Sequence, residues 1–510
     1  MGESCGRWLS AGAATALLLV SAPAGALAPP AAAAGCTAGT PVDFNGDGTR
    51  DIAIADPEAT VAGHAEAGLV RIAYGGGKGV AEISQDAAGM PGDAETGDRY
   101  GHALAVLDEN KDGCSDLAVG VPYESLGEEA EAGMVQVIYG APGGLGTGPA
   151  VRELFQGAGK GDIATSAAEA RDWFGYALAA GATTSGDPYL VIGVPGEDLD
   201  STQDAGTVHY LRGSVNVSIH EESPGVAGVA ETDDRFGTAV AASPEHIAVG
   251  GPGEAIEDRT FSGAAWVLGH RLSADGIPVP LADFDQTSGI SGSAETGDQF
   301  GSALALVPYR PSGAASATHS LLAVGAPGED STTGTDTGRA VVLDVTASGT
   351  AKQTADISQT EAGVTGVGED GDYFGRQLAA VNTAPGSVGT ASTVLLAVGV
   401  PGEDVEEAVD SGSVQLFPLV GAPGDGDAAV GKGDAGLPGT PGPREYLGTS
   451  LWATSSQLYV GIPHGAPADR GVYGLRWPDV LAGTAGTVTA WKPGEGGLPA
   501  GGRAFGAVVR

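Results

Sequence analysis

Two short segments near the start of the sequence carry oxygen-bearing side chains at a spacing that could bind a metal. Residues 43–51 and 108–116 both read D-x-N-x-D-G-x-x-D. Side-chain oxygens at positions one, three, five and nine can converge on one cation, glycine at position six permits the sharp turn, and the carbonyl of position seven can add a ligand. Hard oxygen ligands in such a loop suit calcium. The sequence therefore predicts two Ca²⁺ sites, with the candidate ligands Asp43, Asn45, Asp47, Thr49 and Asp51, and Asp108, Asn110, Asp112, Cys114 and Asp116.

The same residues have an interpretation without metal. Asn, Asp and Gly favour Asx turns on their own, so either segment could be a metal-free turn. The spacing matches the first half of an EF-hand loop, but it ends at position nine and leads directly into an apolar run, with no flanking helical pattern. Because two copies occupy the same place in the repeat described below, we expect calcium-binding hairpins between strands.

A second acidic pattern recurs along the chain. An E-x-x-D-x-aromatic-Gly motif occurs five times, and Pro-Gly-Glu follows an apolar run four times. The acids are Glu95/Asp98, Glu169/Asp172, Glu231/Asp234, Glu295/Asp298 and Glu369/Asp372, and Glu197, Glu254, Glu329 and Glu403. They could form a ring of ligands for cations or for a cationic partner, or they could cap turns and solvate the surface.

Signatures of catalysis are missing from the sequence. There is no G-x-S-x-G nucleophile elbow and no H-E-x-x-H zinc motif. The eight histidines are scattered and recur at no fixed place. His102 follows an aromatic-Gly pair, and we expect it to face solvent or a neighbouring repeat rather than a substrate.

Three short motifs recur seven times each in a fixed order, which is typical of a repeat architecture. An aromatic-Gly pair is followed by an apolar run that ends in proline, and then by glycine before another β-prone run. The markers are Tyr100, Phe174, Phe236, Phe300, Phe374, the variant Tyr446-Leu447-Gly448 and Phe505; Pro57, Pro122, Pro195, Pro252, Pro327, Pro401 and Pro463; and Gly68, Gly133, Gly206, Gly263, Gly338, Gly412 and Gly471. With one further strand candidate, each unit offers four short strands, which describes a blade of a β-propeller.

The two ends of the repeat region complement each other. The first unit starts at Asp43 without an aromatic-Gly strand, whereas Phe505-Gly506 begins such a strand with no unit after it. Pairing these parts would complete one blade and close the ring without a free sheet edge. The sequence therefore predicts an all-β fold over residues 35–510, a seven-bladed β-propeller of four-stranded antiparallel blades closed by its terminal segments. Residues 421–445, dense in Gly, Pro and Asp, predict a flexible loop in the sixth unit, with a weak or missing fourth strand.

The composition and the first residues indicate an exported protein. Residues 1–34 have the pattern of a secretory signal peptide, with Arg7 before an apolar stretch and small residues after it. A retained membrane anchor is the alternative, although the stretch is short for a span. The net charge of −40 disfavours nucleic acids and anionic membranes as partners. We expect a secreted, extracellular protein, either released or held at a cell surface by its partners.

The three cysteines fit the same compartment. Cys5 would leave with the signal peptide, so Cys36 and Cys114 remain as the only pair in an oxidising environment, and we expect a disulfide between them. The alternatives are two free buried thiols or a lipidated Cys36.

The order of motifs in residues 100–122 resembles the FG-GAP repeat of integrin alpha-subunit propellers. The shared features are aromatic-Gly-x-Ala-Leu-Ala, the D-x-N-x-D-G-x-x-D loop and Leu-Ala-Val-Gly-x-Pro. The resemblance implies seven blades, calcium held by the loop residues named above, and a face that presents a ligand. The sequence departs from integrins in having no leg region, no later membrane span and only two loops, which lie in the first two units. The choice of partner therefore does not carry over.

These features predict an adhesion or interaction module, a monomer that binds an extracellular protein or glycan on one face of the propeller. A purely structural surface or matrix component is another hypothesis. A third, from a different class, is a secreted hydrolase or lyase built on a propeller scaffold, because a fold does not fix a function.

Overall fold

The protein is seen here as a computed structural model that describes residues 35–37, 39–157, 163, 166–287 and 290–510. The signal peptide predicted for residues 1–34 lies outside these ranges. The described strands form seven four-stranded antiparallel sheets, each of which is one blade. The predicted all-β, seven-bladed propeller is therefore confirmed.

Within each blade the four strands are neighbours in the order first to fourth from the centre outward. In blade one the first strand comes from the end of the chain. The strands are, by blade, β1 Ile52–Asp56, β2 Leu69–Ala73 and β3 Val80–Ile83; β4 Ala103–Leu107, β5 Asp116–Val121, β6 Met134–Ile138 and β7 Arg152–Leu154; β8 Ala177–Ala182, β9 Pro188–Val194, β10 Thr207–Arg212 and β11 Val215–Ile219; β12 Ala239–Ala242, β13 His246–Gly251, β14 Ala264–Leu272 and β15 Pro278–Phe284; β16 Ala303–Tyr309, β17 His319–Ala326, β18 Arg339–Thr346 and β19 Ala351–Ile357; β20 Gln377–Asn382, β21 Val394–Val400, β22 Ser413–Pro418 and β23 Ala428–Val430; β24 Leu451–Ala453, β25 Gln457–Ile462, β26 Gly471–Arg476 and β27 Thr489–Trp491; and β28 Val508–Val509, the first strand of blade one. A 3₁₀ turn, Gly75–Gly77, joins β2 to β3, and a short helix, α1 Trp477–Leu481, joins β26 to β27.

The recurring residues mark the strand ends. Each of the seven prolines follows directly on a second strand, as Pro122 follows β5. Proline has no N–H to donate to a ladder, so it stands where a strand stops. The second strands are buried on both sides, because neighbouring blades pack against each face; all six residues of β5 are buried. This explains why they read as continuous apolar runs.

The glycine of the aromatic-Gly pair is required by the packing between blades. Gly175 has φ 90°, and a Cβ there would lie 2.8 Å from the carbonyl oxygen of Met134 on the third strand of the preceding blade. The glycine therefore allows the backbones of two neighbouring blades to approach closely. In the sixth copy, which precedes the first strand of blade seven, Leu447 takes the buried aromatic position, and Tyr446 is 37% exposed.

The ring closes as the sequence predicts. β28 pairs antiparallel with β1, and the backbone N–H of Ala53 donates to the carbonyl of Arg510 over 2.7 Å. The first strand of every blade contacts the first strand of the next one, and β28 contacts β4 to complete the circle. These seven first strands form most of the wall of a central cavity of about 1150 Å³.

Blade six is complete. β23 lies inside residues 421–445, where the sequence predicts a flexible loop with a weak or missing strand, and it pairs with β22 over three residues. The segment after it buries Lys432 and Leu437. The fourth strand is thus short but present, because a buried ion pair and an apolar contact anchor this Gly- and Pro-rich stretch.

Strand direction divides the loops between two faces. Connections from first to second and from third to fourth strands lie on one face, here called the hairpin face. Connections from second to third strands, and from each fourth strand to the next blade, lie on the other, here called the seam face. Within the ranges described, no helix has the length and apolar character needed to cross a membrane.

Candidate functional site

The first candidate calcium loop folds around the Asp43 carboxylate on the hairpin face of blade one. Asp43 is fully buried, and its Oδ1 and Oδ2 accept the backbone N–H groups of Asp47 (3.1 Å) and Gly48 (2.7 Å). Oδ1 of Asp47 accepts the N–H of Thr49 over 2.8 Å, and Oδ1 of Asn45 accepts that of Asp47 over 3.0 Å. The side chains at positions one, three and five therefore turn into one loop.

The second loop, on the hairpin face of blade two, repeats this arrangement. Asp108 accepts the N–H groups of Asp112 and Gly113, both over 3.1 Å. Oδ1 of Asn110 accepts the N–H of Asp112 over 2.9 Å, and Oδ1 of Asp112 accepts that of Cys114 over 2.9 Å. The same hydrogen-bond set forms twice, in two blades, from the same sequence pattern.

The ninth residue of each loop accepts two backbone hydrogen bonds that hold the hairpin in place. Asp51 accepts the N–H groups of Phe44 (2.8 Å) and Gly75 (2.7 Å), the latter in the 3₁₀ turn before β3. Asp116 accepts those of Glu109 and Gly140 in the same manner. Burial, with the nearby acids of the loop adding to it, raises the pKa of Asp51 to about 6 and that of Asp116 to about 7.

The donor set fits calcium. Each loop contains three carboxylates and one amide oxygen, all hard ligands, and the carbonyls of Thr49 and Cys114 stand at position seven. In neither loop do oxygens of all three carboxylates lie within 4.8 Å of one another. A carboxylate oxygen has two lone pairs, so the hydrogen bonds to backbone amides leave capacity for a cation. The same hydrogen bonds would also hold a metal-free Asx turn, so the loop geometry is compatible with both interpretations made from the sequence.

The two loops are joined directly across the seam between blades one and two. Cys36 and Cys114 form a disulfide with a Cα–Cα distance of 5.1 Å. The N–H of Asp43 donates to Ser115 Oγ (3.0 Å), and the N–H of Ser115 donates to the carbonyl of Asp43 (2.9 Å). The Cys36 sulfur, bonded in this way, has no valence left for a lipid thioether. The pair of loops thus forms one cross-linked unit.

The recurring E-x-x-D acids cap turns. In all five copies the aspartate accepts the backbone N–H of the glutamate three residues before it, for example Asp172 from Glu169 over 2.6 Å. Burial and the neighbouring acids raise the pKa of Asp172 to about 8. Of the two interpretations made from the sequence, turn capping therefore accounts for these aspartates in the structure.

A cluster of half-buried aromatic side chains lies on the seam face beside the central cavity. The His102 ring centroid is 5.6 Å from that of Tyr123 and 4.8 Å from that of Tyr176, and Trp173 is 6.3 Å from Tyr176. Arg99 lies over the Tyr123 ring at 5.3 Å. His102 and Tyr176 also line the cavity. Burial, and secondarily the charge of Arg99, lowers the pKa of His102 to about 4, so its ring is neutral.

This cluster was not predicted from the sequence. Trp173 stands directly before the Phe174-Gly175 pair, and Arg99, Tyr373 and Tyr446 take the corresponding places in other blades. All four have φ between 51° and 56°. The left-handed backbone turns these side chains outward while the next residue is buried. Comparing the residue before each aromatic-Gly pair would have revealed the position.

Comparisons with known proteins agree with this fold. Residues 100–138, which include β4, the second loop, β5 and β6, match the family model of the FG-GAP repeat. The phosphatidylinositol-glycan-specific phospholipase D of Rattus norvegicus is 40% identical over 106 residues, 20% of this chain and 13% of that protein. The Homo sapiens protein of the same name is 32% identical over 163 residues, 31% of this chain and 18% of that protein. The chain spans less than a fifth of the length of these relatives.

Among solved structures, the periplasmic gluconolactonase PpgL of Pseudomonas aeruginosa aligns over 86% of this chain and 95% of its own, with a TM-score of 0.43 and 11% identity. This likeness is too distant to carry an inference about function.

Proposed function

Since this chain is a seven-bladed β-propeller that contains an FG-GAP repeat, we propose that it is a secreted interaction module, stabilised by calcium, which binds an extracellular protein or glycan on one face. The observation that supports the calcium part is the set of three carboxylates and one amide oxygen that both loops carry at the same positions. The observation that supports binding is the aromatic cluster on the seam face.

Calcium has a structural task at the loops. Three carboxylates in each loop repel one another, and Asp43 and Asp51 are buried, which makes their ionised forms costly without a counter-charge. A cation bound there would neutralise this charge and tighten the hydrogen-bonded unit that joins blades one and two. Extracellular modules of this type bind Ca²⁺ with Kd on the order of 10⁻⁴ to 10⁻³ M, which suits a structural ion.

A double variant separates calcium binding from a metal-free turn. Asp47→Asn with Asp112→Asn keeps the oxygen that accepts the N–H of Thr49 or Cys114, but it removes one ligand charge from each loop. A site with Kd near 10⁻⁴ M gains about 2.7 kcal/mol at a hundredfold excess of Ca²⁺. A domain of this size needs roughly 1 kcal/mol per degree, so two sites should raise the parent's Tm by about 5 °C.

We expect the double variant to melt like the parent in chelator and to lose this calcium-dependent rise. Asp275→Asn, an exposed aspartate elsewhere on the hairpin face, makes the same charge change outside the loops and should respond to calcium like the parent. Equal melting of the parent with chelator and with calcium would remove the metal from the proposal.

The seam face has the side chains that binding surfaces favour. Trp and Tyr offer large contact areas with a polar end and are enriched at interfaces. Trp173 and Tyr176 are partly exposed beside the cavity, and the Trp173 indole donates to Glu131 over 3.2 Å, which fixes the ring in place. Phe261, Tyr373 and Tyr446, which belong to the same face, are each more than a third exposed.

The face assignment can be tested with two variants. Trp173→Ala with Tyr176→Ala should abolish capture of the partner in a pull-down from the native environment and on a glycan array. Val388→Ser, an exposed apolar residue on the hairpin face, should leave capture unchanged. Loss of capture by the Val388 variant alone would move the binding site to the other face.

One serine–histidine pair among the described residues has the contact that a hydrolase would use, but it is not open to a substrate. Ser320 Oγ lies 2.8 Å from His246 Nδ1, but both residues are fully buried. His246 Nε2 is also engaged by the carbonyl of Thr346 over 3.1 Å. The pair therefore acts as a structural link between blades four and five, because no substrate could reach the serine oxygen.

A further inference from the structure

Six of the seven blades send one buried side chain from the end of the fourth strand toward the next blade; blade seven has Pro493 at this position. This seam residue stands two positions after the strand's last apolar residue. In four seams it is a glutamine whose amide donates to a glutamate that follows the next blade's second strand; the pairs are Gln85–Glu124, Gln156–Glu197, Gln286–Glu329 and Gln359–Glu403. The glutamine thus supplies the hydrogen bond that a buried carboxylate needs.

Blade six uses a cation at the same place. The seam residue is Lys432, and its Nζ lies 2.8 and 2.9 Å from the two carboxylate oxygens of Glu445 and 2.8 Å from Oδ2 of Asp469. A positive group enclosed by carboxylates therefore fits this position of the fold.

In blade three this position holds neither glutamine nor lysine. Its seam residue is Glu221, which is 3% exposed and faces Glu254 and Asp234 at the seam with blade four. One carboxylate oxygen of each residue lies within 4.8 Å of the others. Neither oxygen of Glu221 has a hydrogen-bond partner among the described residues. Asp234 Oδ1 and Glu254 Oε2 have no donor from this part of the chain either, and these two carboxyls lie close enough to share a hydrogen bond once one of them is protonated. Acceptor atoms of three acids thus lie together without a donor from the residues that the structure describes.

The surroundings add negative charge and leave room. The charged groups that act on Glu221 are Glu254, Asp234, Glu231 and Glu222, all acids. Burial first, and these acids second, raise the pKa of Glu221 to about 9. A Cβ on Gly228 would lie 2.5 Å from Glu221 Oε2, so glycine is what keeps the space beside the carboxylate open.

We propose that Glu221, Asp234 and Glu254 bind a hard divalent cation at the seam between blades three and four, in the place that a side-chain donor fills elsewhere. Carboxylate-only ligation favours Ca²⁺, Mg²⁺ or Mn²⁺ over softer metals. The site is separate from the two calcium loops, which lie on the hairpin face of blades one and two. It does not depend on their occupancy.

Glu221→Gln is the sharpest test, because it restores the residue that four other seams contain. The number of bound ions is measured by elemental analysis after dialysis against Ca²⁺ and, separately, against Mn²⁺. We expect Glu221→Gln to lose one ion per chain relative to the parent, and to melt at a higher temperature than the parent in chelator. Glu254→Gln should lose the same ion.

Two further variants make the result specific. Asp47→Asn with Asp112→Asn should remove ions at the loops without affecting the seam ion, so failure of either site is seen on its own. Gln359→Glu would place a third carboxylate beside Glu403 and Asp372, and should add one ion. An unchanged ion count for both Glu221→Gln and Gln359→Glu would overturn the proposal and show that the three acids share protons instead.

Discussion

Phe505 anchors the last strand of the chain to blade one, and replacing it with alanine tests how strongly the ring is closed. The side chain is fully buried. It packs with Ile52 and Ile54 of blade one and with Val472 of blade seven. The guanidinium of Arg71 lies 5.5 Å from its ring centroid. Phe505 therefore fills the seam between the first and last blades.

The expected loss follows from this burial. A fully buried Phe→Ala change costs about 3–5 kcal/mol, which is a large part of the roughly 5–15 kcal/mol that stabilises a folded domain. At roughly 1 kcal/mol per degree for a domain of this size, the Tm should fall by about 3–5 °C. Urea denaturation and thermal melting at a fixed calcium concentration measure both quantities.

Tyr446→Ala provides the control. Tyr446 also precedes a first strand, that of blade seven, but it is 37% exposed whereas Phe505 is fully buried, so Tyr446→Ala should cost about 1 kcal/mol, less than Phe505→Ala. Removing residues 503–510 should cost more than Phe505→Ala. It also takes from Asp56 the N–H groups of Arg503 (3.1 Å) and Ala504 (2.9 Å). A truncated protein that unfolds at the parent's urea concentration would refute the closure.

Three other perturbations have expected outcomes. Breaking the Cys36–Cys114 disulfide, which spans 78 residues, should cost about 4 kcal/mol, seen as a lower urea midpoint for the double alanine variant under oxidising conditions. Burial raises the pKa of Asp172 to about 8 and of Glu197 to about 7, so the folded state binds these protons more tightly than the unfolded state. The free energy of unfolding, measured in chelator, should therefore fall between pH 5 and pH 8. Glu197→Gln should make this fall with pH shallower. Gly175→Ala should destabilise the protein by about 1–3 kcal/mol, because alanine there is strained at φ 90° and its Cβ would clash with the backbone of blade two. A variant that melts at the same temperature as the parent would contradict the packing between these blades.

The fold was open to prediction because its determinants are local and repeated. The proline after each second strand, the glycine before each third strand and the aromatic-Gly pair before each first strand mark the same points in every blade. Phe505-Gly506 differs only in lying at the far end of the chain, so the count of seven and the closure both followed. In the variant Tyr446-Leu447-Gly448 the sequence did not decide which residue takes the aromatic position; in the structure it is Leu447, directly before the glycine, that is buried.

The seam contacts were not predicted because each joins two residues of adjacent repeats that are far apart in the sequence. Gln85 and Glu124 are 39 positions apart, and the equivalent pairs are 41, 43 and 44 positions apart. Glu221 stands where other copies have glutamine or lysine, but its meaning depends on the partner glutamate of the next blade. The side chains of the calcium loops, by contrast, lie within nine residues of one another, so the sequence could predict their grouping while leaving the choice between metal and turn open.

The ladder between β1 and β28 also bears on when this protein can become native. Asp56 and Ala504 bond across 448 positions, so the chain must be synthesised as far as β28 before blade one gains its innermost strand. Until then β1 presents an unpaired edge, and such edges invite association with other chains. Contacts of this long range form late and slowly. A ribosome that stops before β28 would therefore release a product with six complete blades and one blade with an unpaired edge strand.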